Sequence, residues 1–124
     1  MARLITVTAI VLAIFGYFFV YPNYMRARTN GRFVHCCGNL KKIGMAIEEY
    51  AKQHDGRYPD VLLRLTPVYL REIPHCPVSR NSVYEYIHSS KPEAYTVYCL
   101  GDYHSPMSQC NYPQYDSIQG LDTR

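Results

Sequence analysis

The residues best suited to chemistry in this chain are its five cysteines and five histidines, which lie between residues 35 and 110. Cysteine and histidine side chains together can bind zinc or act as a nucleophile and its base, and cysteines alone can form disulfides. Because the cysteine count is odd, at least one cysteine must stay outside any set of intramolecular disulfides.

Disulfides are the first chemistry to consider. Cys76 lies in a proline-flanked, extended segment and Cys99 on a predicted strand. A bridge between them would close a loop of about 20 residues and contribute about 3 kcal/mol. Cys37 and Cys110 form the second candidate pair. Adjacent residues of a helix point in different directions, so Cys36 is the predicted free or intermolecular thiol.

A metal site is the second possibility. Zinc would recruit Cys76, Cys99 and His104, with His75 or Cys110 as a further ligand. The chain contains no C-x-x-C pair and no H-x-x-x-H pair, so the spacing predicts no metal and no cofactor. The aspartates of the C-terminal region likewise match no EF-hand spacing for calcium. They are Asp102, Asp116 and Asp122.

Thiol catalysis is the third possibility. His35 with Cys36, and Cys99 with His104, are close in sequence, but neither pair comes with an orienting acid or an oxyanion-binding motif. We therefore predict no enzymatic activity. The formal charge of +3 is scattered, without a basic run, so no nucleic-acid partner is expected.

The first element that positions these residues is an apolar helix at the N-terminus. Residues 4–21 carry no charge, and a helix of this length spans about 27 Å, close to the thickness of a bilayer's hydrocarbon core. Aromatic residues crowd its distal end, where a cleaved signal peptide would carry small ones. The sequence therefore predicts a retained transmembrane helix within residues 1–24.

Two arguments about orientation oppose each other. Only Arg3 and the terminal amine precede the span, while Arg26, Arg28 and Arg32 follow it, which favours a cytoplasmic C-terminal domain. The five cysteines favour an oxidising compartment. We predict that the C-terminal domain lies outside the cytoplasm.

The remaining pattern predicts an α+β domain. Pro22 is expected to kink the helix, which continues as an amphipathic segment over residues 25–56 and ends at Asp55-Gly56. The head, residues 57–124, should start with a short helix capped by Asp60. The apolar face of the amphipathic segment is predicted from spacings of three and four residues. The positions are Phe33, Cys37, Leu40, Gly44, Ile47, Ala51 and His54.

The head is predicted to contain a small antiparallel sheet. Residues 82–87 and 94–100 are rich in tyrosine and valine and should pair through a hairpin loop at 88–93, followed by an irregular tail from residue 101. The expected fold is a long N-terminal helix, membrane-spanning in its first half, packed on this sheet and stabilised by at least one disulfide.

The apolar helix, the Pro22 and Tyr24 pair, the amphipathic continuation and the small β-rich head resemble the type IV pilin and type II secretion pseudopilin superfamily. A closer likeness to pilin-like bacterial proteins covers residues 36–121 and rests on an ordered series of motifs. The series is Cys37-x-Asn39-Leu40-x-x-Ile43-Gly44, Gly56-x-Tyr58-Pro59, Tyr69-Leu70-x-x-Ile73-Pro74-x-Cys76-Pro77, Tyr98-Cys99-x-Gly101-x-x-His104, Asn111-Tyr112-Pro113-Gln114-Tyr115 and Gly120-Leu121.

The resemblance implies a non-enzymatic subunit of a type IV pilus-like filament or of a type II secretion or competence pseudopilus. It implies a single-pass protein of the bacterial inner membrane, extracellular when in a filament, with other pilin-like subunits as partners. Ile5 stands where pilins carry a glutamate, which suits a minor or initiating subunit better than a major one. Helix packing would use the small residues of the span and the residues at its end. They are Thr6, Thr8, Ala9, Ala13, Gly16, Pro22 and Tyr24.

Two alternatives stay open on the sequence. The first is a lone membrane-anchored extracytoplasmic binding domain that never polymerises. The second is a membrane-anchored thiol or metal enzyme, which the missing motifs disfavour.

Overall fold

The computed structural model describes residues 1–79, 84–91, 93–100, 104–105, 107 and 112–123. The chain divides into two compact units, Met1–Gly31 and Arg32–Arg124. Across the described residues, a long N-terminal helical segment is combined with a small antiparallel sheet. The predicted α+β class is therefore confirmed.

The first unit is entirely helical apart from its first residue. Helix α1 (Ala2–Phe15) leads through a π-helical turn (Gly16–Val20) into helix α2 (Tyr21–Gln53). The π-helical turn ends two residues before Pro22, the position of the predicted kink, and proline offers no N–H to the helix. The side-chain amide of Asn23 donates to the carbonyl oxygen of Phe19 at 2.7 Å. A side chain thus supplies a donor to the backbone just where the helix is irregular.

The apolar part of this helical segment is long and apolar enough to cross a membrane, and none of it is buried within the protein. Its large apolar side chains between residues 4 and 21 are all between 53% and 72% exposed. Nothing in the described residues covers this surface. A medium other than water, or another molecule, must therefore cover this apolar surface.

In the second unit, the C-terminal half of α2 supplies one wall of the core. The buried stripe includes Cys36, Leu40, Ile43 and Ile47, spaced by four, three and four residues. The apolar spacing in the sequence predicts Cys37 at this position of the stripe instead. That assignment is wrong by one position at the start of the stripe, because Cys36 is fully buried and Cys37 only half-buried.

Helix α2 ends as predicted. Asp55 and Gly56 adopt left-handed conformations with φ of 55° and 79°, and the Gly56 N–H donates to the Ala51 carbonyl at 2.8 Å. The ring of His54 stacks on Tyr50 with 3.8 Å between ring centroids. The left-handed pair turns the chain back toward the core.

A short 3-10 helix (Leu62–Leu65) follows and buries Leu62 and Leu65 against the core. Asp60 is the cap predicted from the sequence, but no side chain caps this helix. Asp60 instead lies 3.5 Å from the guanidinium of Arg64 in an exposed ion pair. The expectation of an Asp60 cap is therefore wrong.

The sheet has the order β1-β2-β3-β4, with antiparallel pairing throughout. Strands β1 (Glu85–Ser90) and β2 (Glu93–Tyr98) form the predicted hairpin with a tighter connection than expected, and residues 82–83 of the first predicted strand lie outside the described residues. Strands β3 (Gln114–Asp116) and β4 (Gly120–Asp122) form a second hairpin. The prediction of an irregular tail is therefore wrong over these residues.

The sheet meets α2 at a glycine. A Cβ atom built on Gly44 would lie 2.8 Å from Cζ of Tyr115, whose strand pairs with β2 through Val97. The hydroxyl of Tyr95, buried on the same face, donates to Glu48 at 2.9 Å. Burial raises the pKa of Tyr95 above its usual range, and the hydrogen bond to Glu48 adds to this. The absence of a side chain at Gly44 therefore allows the sheet to approach the helix closely.

Replacing Gly44 with alanine should destabilise the second unit by about 1–3 kcal/mol, because the tyrosine ring must move out of its place. Gly38→Ala is the matched control: it lies on the same helix with nothing within 4 Å of the added methyl group. It should stabilise the protein by up to about 1 kcal/mol through helix propensity. Denaturant unfolding of both variants in detergent measures the difference, and equal stabilities would contradict the packing described here.

Candidate functional site

Three cysteines and one histidine of the second unit converge in its core. The ligand atoms of Cys36, Cys76, Cys99 and His104 all lie within 4.8 Å of one another. The four residues are at most 4% exposed. Among the described residues, this is the group of histidine, cysteine and acidic side chains that could hold a metal ion.

The helix and the loop after it position the first two residues. Cys36 lies on the buried stripe of α2, one turn before Leu40. Cys76 comes from the segment that follows the 3-10 helix, and the amide of Asn39 on α2 donates to the His75 carbonyl at 3.0 Å. This hydrogen bond ties the loop to the helix at the residue just before Cys76.

The sheet and the segment after it position the other two. Cys99 directly follows β2, and its N–H donates to the carbonyl of Pro113 at 3.1 Å. The imidazole of His104 packs edge-on against the ring of Phe33, with 5.5 Å between centroids. The cluster therefore draws one residue from each of four separate stretches of chain.

The cluster favours negative charge at one of its sulfurs. Hydrogen bonds from Cys36 and Cys99 hold the pKa of Cys76 well below its usual range, and His104 Nε2, 3.5 Å from the Cys76 sulfur, acts in the same direction. The hydrogen bond with Cys76 raises the pKa of Cys36. The Tyr84 hydroxyl donates to the Cys36 sulfur at 3.3 Å.

The predicted disulfides are not found. Cys36, Cys37, Cys76 and Cys99 are all free, so the expected bridge between Cys76 and Cys99 is wrong. Cys37, the candidate partner of Cys110, is free as well, and Cys110 lies outside the described residues. The two sulfurs of the first pair are neighbours, but they share their surroundings with Cys36 and His104 rather than forming a bond.

The structure changes the set of candidate ligands. Of those considered from sequence, Cys76, Cys99 and His104 come together, while His75 is exposed and contributes its carbonyl to Asn39. Cys36, the predicted free or intermolecular thiol, completes the group. Its spacing from Leu40 and Ile43 is compatible with a place in the core, but the spacing of Cys37 from Leu40 is as well.

The predicted assembly residues lie on the first unit. Thr6, Ala9, Ala13 and Gly16 are spaced by three, four and three residues and share one side of the helix, which we term the small-residue stripe. Thr8 lies off this stripe. Pro22 and Tyr24 are exposed at the start of α2.

No protein-family model, curated protein or solved structure matches this chain.

Proposed function

We propose that this protein is a non-enzymatic, pilin-like subunit whose N-terminal helix anchors it in a bacterial inner membrane and packs against other pilin-like subunits. The resulting assembly would be a type IV pilus-like filament or a type II secretion or competence pseudopilus. The proposal rests first on one observation, the uncovered apolar surface of the first unit.

This apolar surface is too large and too continuous to remain exposed to water. Every large apolar side chain from residue 4 to residue 21 is more than half exposed. Each such side chain gains about 1.5–3 kcal/mol when it leaves water, so the segment strongly favours lipid or a protein interface. A bilayer and the core of a helical filament both provide such a cover, and the same segment can pass from one to the other.

The polar groups of the span suit this environment. The Thr6 hydroxyl donates to the Arg3 carbonyl at 2.9 Å, and the Thr8 hydroxyl donates to the Ile5 carbonyl at 2.9 Å. These donors are satisfied by their own helix and carry little cost into hydrocarbon. The small-residue stripe offers neighbouring helices a close approach.

The second unit provides what a filament presents to its surroundings. It has its own core, built by α2, the 3-10 helix and the sheet. We place this head outside the cytoplasm because the motif series resembles pilin-like proteins. The arginines after the span favour the other side, and the free cysteines remove the support that disulfides would have given. Burial of Cys36, Cys76 and Cys99 shields their thiols from oxidants, which is compatible with an exterior location.

Electron microscopy of material sheared from intact cells tests the proposed function. We expect antibodies against the head to label filaments or short pseudopili, and the same cells to expose the head to protease once the outer membrane is permeabilised. Recovery of the protein only as detergent-soluble monomers would contradict assembly. In that case a lone membrane-anchored domain would be the better description.

A further inference from the structure

We propose that Cys36, Cys76, Cys99 and His104 form a structural zinc site in the core of the head. This inference goes beyond the proposed function and does not depend on it, because it concerns the second unit alone. It would hold equally for a pilin-like subunit and for a lone anchored domain.

The distances fit a tetrahedral ion. With bonds of about 2.3 Å to sulfur and about 2.0–2.1 Å to nitrogen, a tetrahedral zinc holds a sulfur and a nitrogen about 3.5 Å apart. Cys76 Sγ and His104 Nε2 are 3.5 Å apart. Two sulfurs bound to the same zinc lie about 3.8 Å apart, within the 4.8 Å that contains all four ligand atoms. A disulfide would instead need two sulfurs at about 2.05 Å.

The donor set fits zinc as well. Three thiolates and one imidazole are a usual set for structural zinc, and they supply four ligands without leaving an open position for substrate. Zinc with three thiolates carries a net charge of −1, which the surroundings must stabilise. The Tyr84 hydroxyl donates to the Cys36 sulfur, and a backbone hydrogen bond at Ser79 reaches the Cys76 sulfur. Such outer hydrogen bonds orient and stabilise metal ligands.

The position of the site gives it a structural role. It joins α2, the loop before the sheet, the end of β2 and the segment that contains His104. Metal binding to ligands this far apart in sequence adds its free energy to folding. A small domain without disulfides among its described cysteines gains the most stability from such a metal cross-link.

Metal analysis of the full-length protein tests the site. The chain is purified in detergent without a metal-affinity column and without chelators, and zinc is measured by mass spectrometry against protein concentration. We expect about one zinc per chain. The matched pair of variants is Cys36→Ser, which should lower the zinc content at least about tenfold, and Cys37→Ser, which should leave it unchanged. Equal zinc in both variants, or none in the parent protein, would overturn the proposal.

A second measurement does not require a ligand variant to fold. Cobalt exchanged into the parent protein and into Cys37→Ser should give the visible bands of a tetrahedral ion and the near-ultraviolet charge transfer of thiolate ligands. Weak bands of an octahedral ion with oxygen ligands would overturn the site. So would a disulfide between Cys76 and Cys99 in the peptide map of freshly purified protein.

Discussion

Stripping zinc from the full-length protein with a strong chelator is expected to lower the melting temperature of its head by roughly 10 to 30 °C. Free zinc at a hundred to a thousand times its dissociation constant adds about 3–4 kcal/mol to the stability of a folded protein that binds it. A domain of this size shifts by roughly 4–8 °C for each kcal/mol. The chain has no tryptophan, so tyrosine circular dichroism in the near ultraviolet follows the melting directly.

The same experiment has two internal controls. Cys37→Ser should melt like the parent protein both with zinc and after chelation, since Cys37 is adjacent to Cys36 on the helix but outside the cluster. Zinc added back should restore the melting temperature, whereas magnesium, which prefers oxygen ligands, should not. An unchanged melting temperature after complete removal of zinc would show that the ion contributes nothing to the fold.

Enlarging the small-residue stripe should abolish assembly while leaving membrane anchoring intact. In the double variant Ala9→Leu with Ala13→Leu, the span becomes more apolar, so the protein should stay in the membrane fraction. Each leucine holds the neighbouring backbone away and should cost about 1–3 kcal/mol at every helix contact. Filament yield in sheared material should therefore fall to background.

Val11→Leu is the control for that variant. A residue two positions after Ala9 is rotated by about 200° around the helix, so Val11 lies opposite the small-residue stripe. Val11→Leu also introduces a leucine, adding one methylene group at a side chain that is already 59% exposed. Filaments at the normal level with Val11→Leu and at background with the double variant are expected. Normal filaments with the double variant would exclude close packing along this stripe.

The helical part of the fold could be predicted because its signals are local. A charge-free segment, a proline and a left-handed Asp55-Gly56 pair each act within a turn or two of helix, and the structure has the helix end where they indicate. It was harder to predict which residues of the helix face the core. Both Cys36 and Cys37 fit an apolar spacing, and only packing against the sheet selects Cys36.

The second hairpin was missed because its strands are too short to carry a periodic signal. Strands β3 and β4 have three residues each. Their stability comes from β2, which pairs with β3, and from the turn in which Asp116 accepts the N–H of Ile118 at 2.7 Å. An aspartate followed four residues later by a glycine with φ of 76° was the available sign of a turn.

The cysteine and histidine cluster was not predictable from spacing. Zinc motifs are recognised from two ligand pairs, each a few residues apart, but here only Cys99 and His104 are close in sequence, and Cys76 lies 28 residues before His104. The loop and the sheet bring the four residues together, and such long-range contacts cannot be recognised from the local sequence. The cysteines were also interpreted as disulfide pairs with one left over, whereas the structure groups three cysteines with one histidine.

Contact between the N-terminal helices of neighbouring subunits is the central claim, and photo-cross-linking in living cells measures it most directly. A benzophenone amino acid at Leu12, 70% exposed beside the small-residue stripe, would react with whatever covers the helix. We predict adducts to a second copy of this 14.4 kDa chain or to another pilin-like subunit, and their loss in the double leucine variant. Adducts to lipid alone, in cells that carry the protein at its natural level, would contradict the claim.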